Sequence, residues 1–262
     1  SNKIDLLKNE PYDCPTKPFG GSEDYVWSTD GKTVVYVTKK KFGTDYAIST
    51  NTDLYAYDVA SGKTTNLTEG MMGYDINPTF NQFNQLAWMS MRRDGYEADK
   101  QDLYVWNGIS KMNLTAQRDE IHVEGYKWSD DGKKIFFYAP IDGTLQLFEV
   151  SYPGLTKMMP MIRQITKGNF DINGIVGQSG NQIIVSRTDM NHAPELFAVN
   201  IADGSMNQLT HANDDFYNSI QLSKIEKRMV KTSDNKQMLC WVIYPPGFDP
   251  NKKYPTLLYC QG

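Results

Sequence analysis

Short apolar runs recur along the chain, and each follows a turn-forming segment. Four of them are three or four residues long: Val34–Val37, Leu86–Met89, Ile135–Tyr138 and Ile183–Val185. Continuous apolar runs, rather than strict alternation of apolar and polar positions, are typical of strands whose sheets are covered on both faces. Their β-branched and aromatic residues favour strands over buried helices. The pattern therefore predicts stacked β-sheets.

The apolar runs belong to a repeat that keeps three separate registers. A strand ending of Asn or Gln, Leu or Ile, and Thr recurs at steps of 47, 51 and 44 residues, at Asn66–Thr68, Asn113–Thr115, Gln164–Thr166 and Gln208–Thr210. Turn segments recur at steps of 53, 48 and 49 residues, beginning at Trp27, Phe80, Trp128 and Gly177. Leu-Tyr or Leu-Phe pairs recur at steps of 49, 44 and 49 residues, beginning at Leu54, Leu103, Leu147 and Leu196. Such a period predicts a β-propeller, in which each repeat is one four-stranded blade.

The repeat predicts an all-β fold with about four blades and a different segment after them. The blades are expected at 21–70, 71–117, 118–168 and 169–212, after a connector at 1–20 that comes from a preceding segment. The remainder, 213–262, is expected to contain a linker, a β-hairpin at 227–244 and a short buried strand, Thr256–Cys260.

The most specific motif of the chain lies in this last segment. It runs from Lys231-Thr232 past Trp241 to Pro245–Pro250 and Lys252–Pro255. Together with the Trp-Ser-x-Asp-Gly turns of the blades, it resembles the prolyl oligopeptidase family of serine peptidases, and most of all the dipeptidyl-peptidase and acylaminoacyl-peptidase branches. The resemblance covers essentially the whole chain. It implies a fragment that holds propeller blades and the leading strands of an α/β-hydrolase domain.

The resemblance implies a parent protein that releases dipeptides or N-terminal residues from peptides. In that family the Ser nucleophile lies on a Gly-x-Ser-x-Gly elbow, and the elbow and its Asp and His partners follow the segment seen here. The sequence contains no such elbow, so the chain by itself is expected to be inactive. The resemblance puts Gln261 and Gly262 in the loop near the oxyanion, where the family usually has His or Tyr before Gly.

One connection within the blades is unusually charged. The link between the second and third strands of the second blade, Arg92–Lys100, holds both charge signs, an aromatic residue and a glycine. In dipeptidyl peptidases the propeller offers carboxylates to the substrate's α-ammonium group, a charge-assisted contact that is stronger than a neutral one. The resemblance makes Glu97 and Asp99 candidates for this role, and Arg92 and Arg93 candidates for holding a carbonyl. The alternative is a solvated loop with weak internal ion pairs.

Composition narrows the range of partners. A net charge of −4 and a pI near 5.4 argue against nucleic acid, which needs a basic surface. No apolar run approaches the ~20 residues of a membrane span. The three cysteines, Cys14, Cys240 and Cys260, lack metal-ligand spacing and are expected to be small buried or free thiols, and no metal or cofactor is predicted. The family resemblance favours a periplasmic or extracellular location.

Two alternatives stay open. A non-enzymatic β-propeller of the TolB-like type, which only binds partner proteins, explains the blades but not the segment 231–262. A different specificity within the same family, such as an endopeptidase for short peptides, explains both. Isolated blades expose large faces at the ends of the array, so we also expect the chain to self-associate.

Overall fold

The computed structural model describes residues 3, 5–154, 156 and 158–260. Within them, four antiparallel sheets of four strands each follow one another along the chain. The first two contain β1 (Tyr25–Trp27), β2 (Thr33–Thr38), β3 (Asp53–Asp58), β4 (Thr64–Asn66), β5 (Asp75–Phe80), β6 (Leu86–Ser90), β7 (Asp102–Trp106) and β8 (Lys111–Asn113). The other two contain β9 (Gly125–Trp128), β10 (Lys134–Ile141), β11 (Thr144–Ser151), β12 (Ile162–Gln164), β13 (Asp171–Ser179), β14 (Gln182–Asp189), β15 (His192–Asn200) and β16 (Met206–Gln208).

In each sheet, strands that are neighbours in sequence are neighbours in space. This meander is the architecture of a propeller blade, and it confirms the predicted all-β fold class. Among the described residues, helical structure is limited to a 3₁₀ turn, Ser22–Asp24, and two short helices, α1 (Thr44–Ile48) and α2 (Asp214–Asn218). In the described ranges, no helix has the length and apolar character needed to cross a membrane.

Apolar side chains from both faces of the middle strands fill the spaces between the sheets. Along β10, Ile135 and Phe137 pack toward the second sheet, in a cluster with Leu103. The residue between them, Phe136, packs toward the fourth sheet, in a cluster with Ile183. All five side chains are buried. Because both faces of such a strand are covered, the sequence shows continuous apolar runs instead of alternation.

The turns after the first strands are hydrogen-bonded to one another from sheet to sheet. The pairs are Thr29 N–H to Asn84 Oδ1 (2.9 Å), Asn81 Nδ2 to Gly132 O (3.3 Å) and Asp130 N–H to Gln178 Oε1 (2.9 Å). These contacts put all four first turns at one end of the propeller. Since the strands are antiparallel, the connections between second and third strands lie at the opposite end. We call this the second-connection end.

The Thr of the repeated strand ending closes each sheet. Its hydroxyl oxygen accepts a backbone N–H from the Leu of the third strand at 2.9–3.1 Å, in the pairs Leu54–Thr68, Leu103–Thr115, Leu147–Thr166 and Leu196–Thr210. The same hydroxyl donates to the side chain just before that Leu, namely Asp53, Asp102, Gln146 or Glu195. The register of Leu pairs and the register of strand endings therefore recur together because their Leu and Thr residues form the same hydrogen bond in each sheet.

A two-stranded hairpin follows the fourth sheet. It consists of β17 (Ile225–Lys231) and β18 (Gln237–Ile243) and packs against the second-connection end. Lys227 Nζ donates to the backbone oxygen of Asp142 at 2.7 Å, in the turn between β10 and β11. The next residue, Gly143, has φ +76°, and a Cβ atom there would lie 2.2 Å from Leu239 Cδ2. The hairpin approaches this closely because Gly143 has no side chain.

The strand predicted at Thr256–Cys260 is not formed. These residues lie outside any strand, and Leu257 and Leu258 are 97% and 89% exposed. A strand needs a neighbour to pair its backbone N–H and C=O groups, and none of the described residues forms one beside this segment. The prediction was wrong here because an apolar run indicates burial without specifying the surface that covers it.

Candidate functional site

The charged loop, residues 92–99 of the predicted connection Arg92–Lys100, lies at the second-connection end. It joins β6 to β7, the second and third strands of the second sheet. The hairpin β17–β18 packs against the corresponding turns of the third and fourth sheets, where Asn191 Nδ2 donates to the backbone oxygen of Ser223 at 2.8 Å. The charged loop and the hairpin therefore share one end of the propeller.

Arg93 and Asp99 hold the charged loop together. Arg93 Nη2 donates to Asp99 Oδ1 at 2.9 Å, and the backbone N–H of Arg93 donates to Asp99 Oδ2 at 2.9 Å. The bonds from Arg93 lower the pKa of the Asp99 carboxyl group, which is 9% exposed. The guanidinium of Arg93 also stacks on Tyr96, 4.0 Å from the ring centre. Both carboxylate oxygens of Asp99 are engaged within the loop.

Glu97 and Arg92 have exposed side chains. The ion pairs that residues 92–99 form with described residues are Arg93–Asp99 and Lys41–Asp94, and Glu97 belongs to neither. Burial raises the pKa of the Tyr74 hydroxyl, and the charge of Glu97 adds to this effect. Glu97 therefore lies within electrostatic reach of Tyr74, just before β5, and is the accessible carboxylate of the loop.

Asp94, which the sequence did not single out, ties the charged loop to the first sheet. Its Oδ1 atom accepts Ser49 Oγ at 2.7 Å, Thr50 N–H at 2.8 Å and Asn51 N–H at 3.2 Å. Partial burial opposes ionisation, but these three bonds outweigh it and lower the pKa of Asp94. The segment 49–51 leads directly into β3, so one carboxylate joins the two second connections.

A buried carboxyl group lies below the charged loop. Asp75, the first residue of β5, is fully buried, and its Oδ1 atom accepts Trp88 Nε1 at 3.0 Å. Its backbone is bonded on both sides to the hydroxyl of Thr52. Asp75 Oδ2 has no partner among the described residues. Burial raises the pKa of Asp75 to about 7, and the hydrogen bond from Trp88 only partly opposes the shift.

A cavity of about 210 Å³ lies elsewhere at the same end, between the hairpin and the third and fourth sheets. Its lining includes Phe170, Asp171, His192 and Trp241, and none of the four predicted binding residues.

Among the described residues, no group of three or more His, Cys, Asp or Glu is arranged to hold a metal ion. The three cysteines are free thiols. The predicted oxyanion-loop residues, Gln261 and Gly262, lie outside the described residues.

Four stacked sheets, with a charged loop and a hairpin at one end, define a β-propeller segment. No model of a known protein family matches the chain. Among curated proteins, it is 38% identical over 261 residues to dipeptidyl-peptidase 5 of Porphyromonas gingivalis, and 40% identical over 260 residues to that of Porphyromonas endodontalis. Each match covers 98% of this chain and 37% of the relative. The chain thus spans little more than a third of the length of these relatives.

Solved structures share the fold. Pyrococcus horikoshii acylaminoacyl peptidase matches with a TM-score of 0.68 and 17% identity, over 88% of this chain and 33% of that one. The β-propeller domain of the trilobed protease from Pyrococcus furiosus matches with a TM-score of 0.53 and 20% identity, over 74% of this chain and 53% of that one. At these identities the likeness shows the fold alone. The matches to proteins named dipeptidyl-peptidase 5 confirm the predicted resemblance to dipeptidyl peptidases, and the solved structures confirm the propeller fold.

Proposed function

We propose that this chain is the substrate-gating part of a serine exopeptidase that releases dipeptides from the free N-termini of peptides. The identity to two proteins named dipeptidyl-peptidase 5 supports this proposal. The fold alone does not separate a peptidase from a propeller that only binds partner proteins, because one fold serves many functions. The sequence matches favour the peptidase.

In this proposal the blades span 21–70, 71–117, 118–168 and 169–212, and residues 213–262 lead into an α/β-hydrolase domain. That domain supplies a Ser nucleophile, a His base and an Asp that orients the His. A domain that follows the hairpin β17–β18 faces the second-connection end. The observation that carries the proposal is the position of the charged loop, residues 92–99, at this same end. In this proposal the loop lines the space between the propeller and the hydrolase domain.

Within the loop, Glu97 binds the α-ammonium group of the substrate. Its carboxylate is exposed and outside the loop's ion pairs, whereas both oxygens of Asp99 are engaged by Arg93. Asp99 therefore supports the loop from within. The exposed guanidinium of Arg92 donates to a substrate carbonyl oxygen, a role that suits Arg because it carries five N–H donors and a permanent charge. Arg93 forms an ion pair with Asp99 and therefore contributes less than Arg92 to binding the substrate carbonyl.

The activity is tested on the full-length protein that contains this chain. We expect hydrolysis of chromogenic dipeptide substrates with a free N-terminus, with release of the dipeptide, and little hydrolysis of the same substrates after N-acetylation. Acetylation removes the positive charge that Glu97 binds. Equal rates on free and acetylated substrates would refute the exopeptidase assignment, and cleavage within longer blocked peptides would favour the endopeptidase alternative.

The role of Glu97 is tested with Glu97→Gln in the same protein. A hydrogen bond to a charged group contributes about 1.5–3 kcal/mol. We therefore expect KM for a chromogenic dipeptide substrate with a free N-terminus to rise ~10- to 100-fold. The matched control is Glu69→Gln, an exposed glutamate that follows β4, the last strand of the first sheet. An unchanged KM in Glu97→Gln would show that another group binds the ammonium.

A further inference from the structure

We propose that Asp94 is a positioning residue for substrate binding: it fixes the charged loop, and with it Glu97, against the first sheet. The inference rests on the proposed function, because it assigns a role in recognising the N-terminus of the substrate. Asp94 does not contact substrate in this view. It acts through the loop that presents Glu97, three residues further along the chain.

The contact is reciprocal and joins two sheets. The carboxylate of Asp94 accepts three hydrogen bonds from Ser49, Thr50 and Asn51. In return, the hydroxyl oxygen of Thr50 accepts the backbone N–H of Gly95 at 2.9 Å. The Thr50 hydroxyl also donates to the backbone oxygen of Arg93 at 3.4 Å, so five hydrogen bonds between segments about 45 residues apart converge on one turn. Ser49 and Thr50 are buried, so water competes weakly for these bonds.

The charged loop has two kinds of restraint, and only one of them sets its place in the propeller. The Arg93–Asp99 pair closes the loop on itself and leaves its orientation toward the first sheet open. Asp94 supplies that orientation, because its partners precede β3 directly. Gly95, at φ +79°, gives the turn a left-handed conformation that a side chain would strain. Loss of the Asp94 carboxylate thus leaves the bonds of the Thr50 hydroxyl to Gly95 and Arg93, a weaker attachment that presents Glu97 in a wider range of orientations.

The first sheet also holds the partners of Asp94 in place. Lys39 Nζ donates to the backbone oxygens of Ser49 at 2.7 Å and Tyr46 at 3.2 Å, which braces the connection between β2 and β3. Thr52 is bonded to the backbone of Asp75 in the second sheet. Asp94 therefore binds a segment that is fixed on both sides, and that segment is a firm reference for the position of the loop.

The test compares Asp94→Ala, Asp94→Asn and the control Asp58→Ala in the full-length protein. Asp58 is a half-buried aspartate that likewise accepts a hydroxyl and a backbone N–H, both from Ser61, but at the opposite end of the first sheet. We expect Asp94→Ala to raise KM for a chromogenic dipeptide substrate with a free N-terminus ~10-fold, with kcat within ~2-fold. The change weakens the binding of the ground state and of the transition state alike. Asp94→Asn keeps an acceptor oxygen and is expected to restore most of the affinity.

The double variant Asp94→Ala/Glu97→Gln separates positioning from general destabilisation. If Asp94 acts through Glu97, the double variant has the KM of Glu97→Gln alone, because there is no longer a carboxylate to position. Additive effects of the two changes on log KM would overturn the inference. A fall in kcat and thermal stability without a change in KM would also overturn it, because this pattern indicates a purely structural role.

Hydrogen exchange gives a readout that does not depend on catalysis. We expect faster exchange across residues 92–99 in Asp94→Ala and not in Asp58→Ala. Unchanged exchange would overturn the inference even in a protein with the proposed activity. Absence of dipeptidyl-peptidase activity in the unmodified protein would refute the proposed function instead, and with it the positioning role given to Asp94.

Discussion

The buried carboxyl group of Asp75 makes the stability of this fold dependent on pH. Its pKa is raised from 3.8 to about 7, mainly by burial, and one of its oxygens has no partner among the described residues. In the unfolded chain the carboxyl group ionises near its ordinary pKa, whereas in the folded chain it stays protonated until about pH 7. Folding therefore holds the proton, and the stabilisation that this protonated group gives is lost as pH rises.

The size of the effect follows from linkage. Between about pH 4 and 7 the free energy of unfolding falls by about 1.4 kcal/mol per pH unit on account of this group, to a total of about 4 kcal/mol. Above pH 7 both states are ionised, and the loss stays constant. Asp75→Asn removes the titration but keeps an oxygen that accepts from Trp88 Nε1. The stability of the variant relative to the unmodified chain should therefore rise by about 2 to 3 kcal/mol from pH 5 to pH 8.

The assay is urea unfolding of the unmodified chain and the variant at several pH values between 5 and 8. Other groups titrate in this range, and the difference between the two proteins removes their contribution. Asp58→Asn is the matched control, because hydrogen bonds from Ser61 lower the pKa of Asp58 and no gain at high pH is expected. A stability difference between Asp75→Asn and the unmodified chain that stays constant from pH 5 to 8 would refute the reasoning.

Two further predictions concern the repeat and the ends of the array. Thr115→Val, which keeps the shape but removes the hydroxyl that bonds to Asp102 and Leu103, should lower the free energy of unfolding by about 1–3 kcal/mol, measured by urea unfolding, whereas the exposed control Thr65→Val should have little effect. An equal effect of the two changes would contradict the structural role of the repeat. The isolated chain should self-associate, because apolar side chains such as Leu257 and Leu258 are exposed. Sedimentation that stays monomeric at high concentration would contradict this expectation.

The fold was predictable because the repeat has local physical causes. The Leu and Thr registers mark one hydrogen-bonded contact in each sheet, and the turn register marks the contacts between neighbouring sheets. Because this contact occurs in each of the four sheets, its residues recur at regular spacing and can be recognised in a single sequence. The strand predicted at Thr256–Cys260 did not belong to the repeat and rested on one apolar run alone. The exposed side chains of this segment show that one apolar run is insufficient to predict a buried strand.

The candidate site could be predicted from the sequence only in part. The loop at 92–100 was noticed for its charge, but charge does not reveal that Arg93 engages both oxygens of Asp99. The contact of Asp94 with Thr50 occurs once and joins residues 44 positions apart, so no periodicity marks it. Asp75 is an ordinary polar residue at the start of a strand until the fold buries it. Each of these properties depends on packing between sheets.

The threonine that closes each sheet also bears on how such proteins change over evolutionary time. Because the threonine closes each sheet within its own blade, duplication or deletion of one unit of about 50 residues leaves the hydrogen-bonded sheets of the remaining units intact. Only the shared surfaces beside the inserted or lost unit need to match. Lineages of this kind are thus free to vary the number of blades.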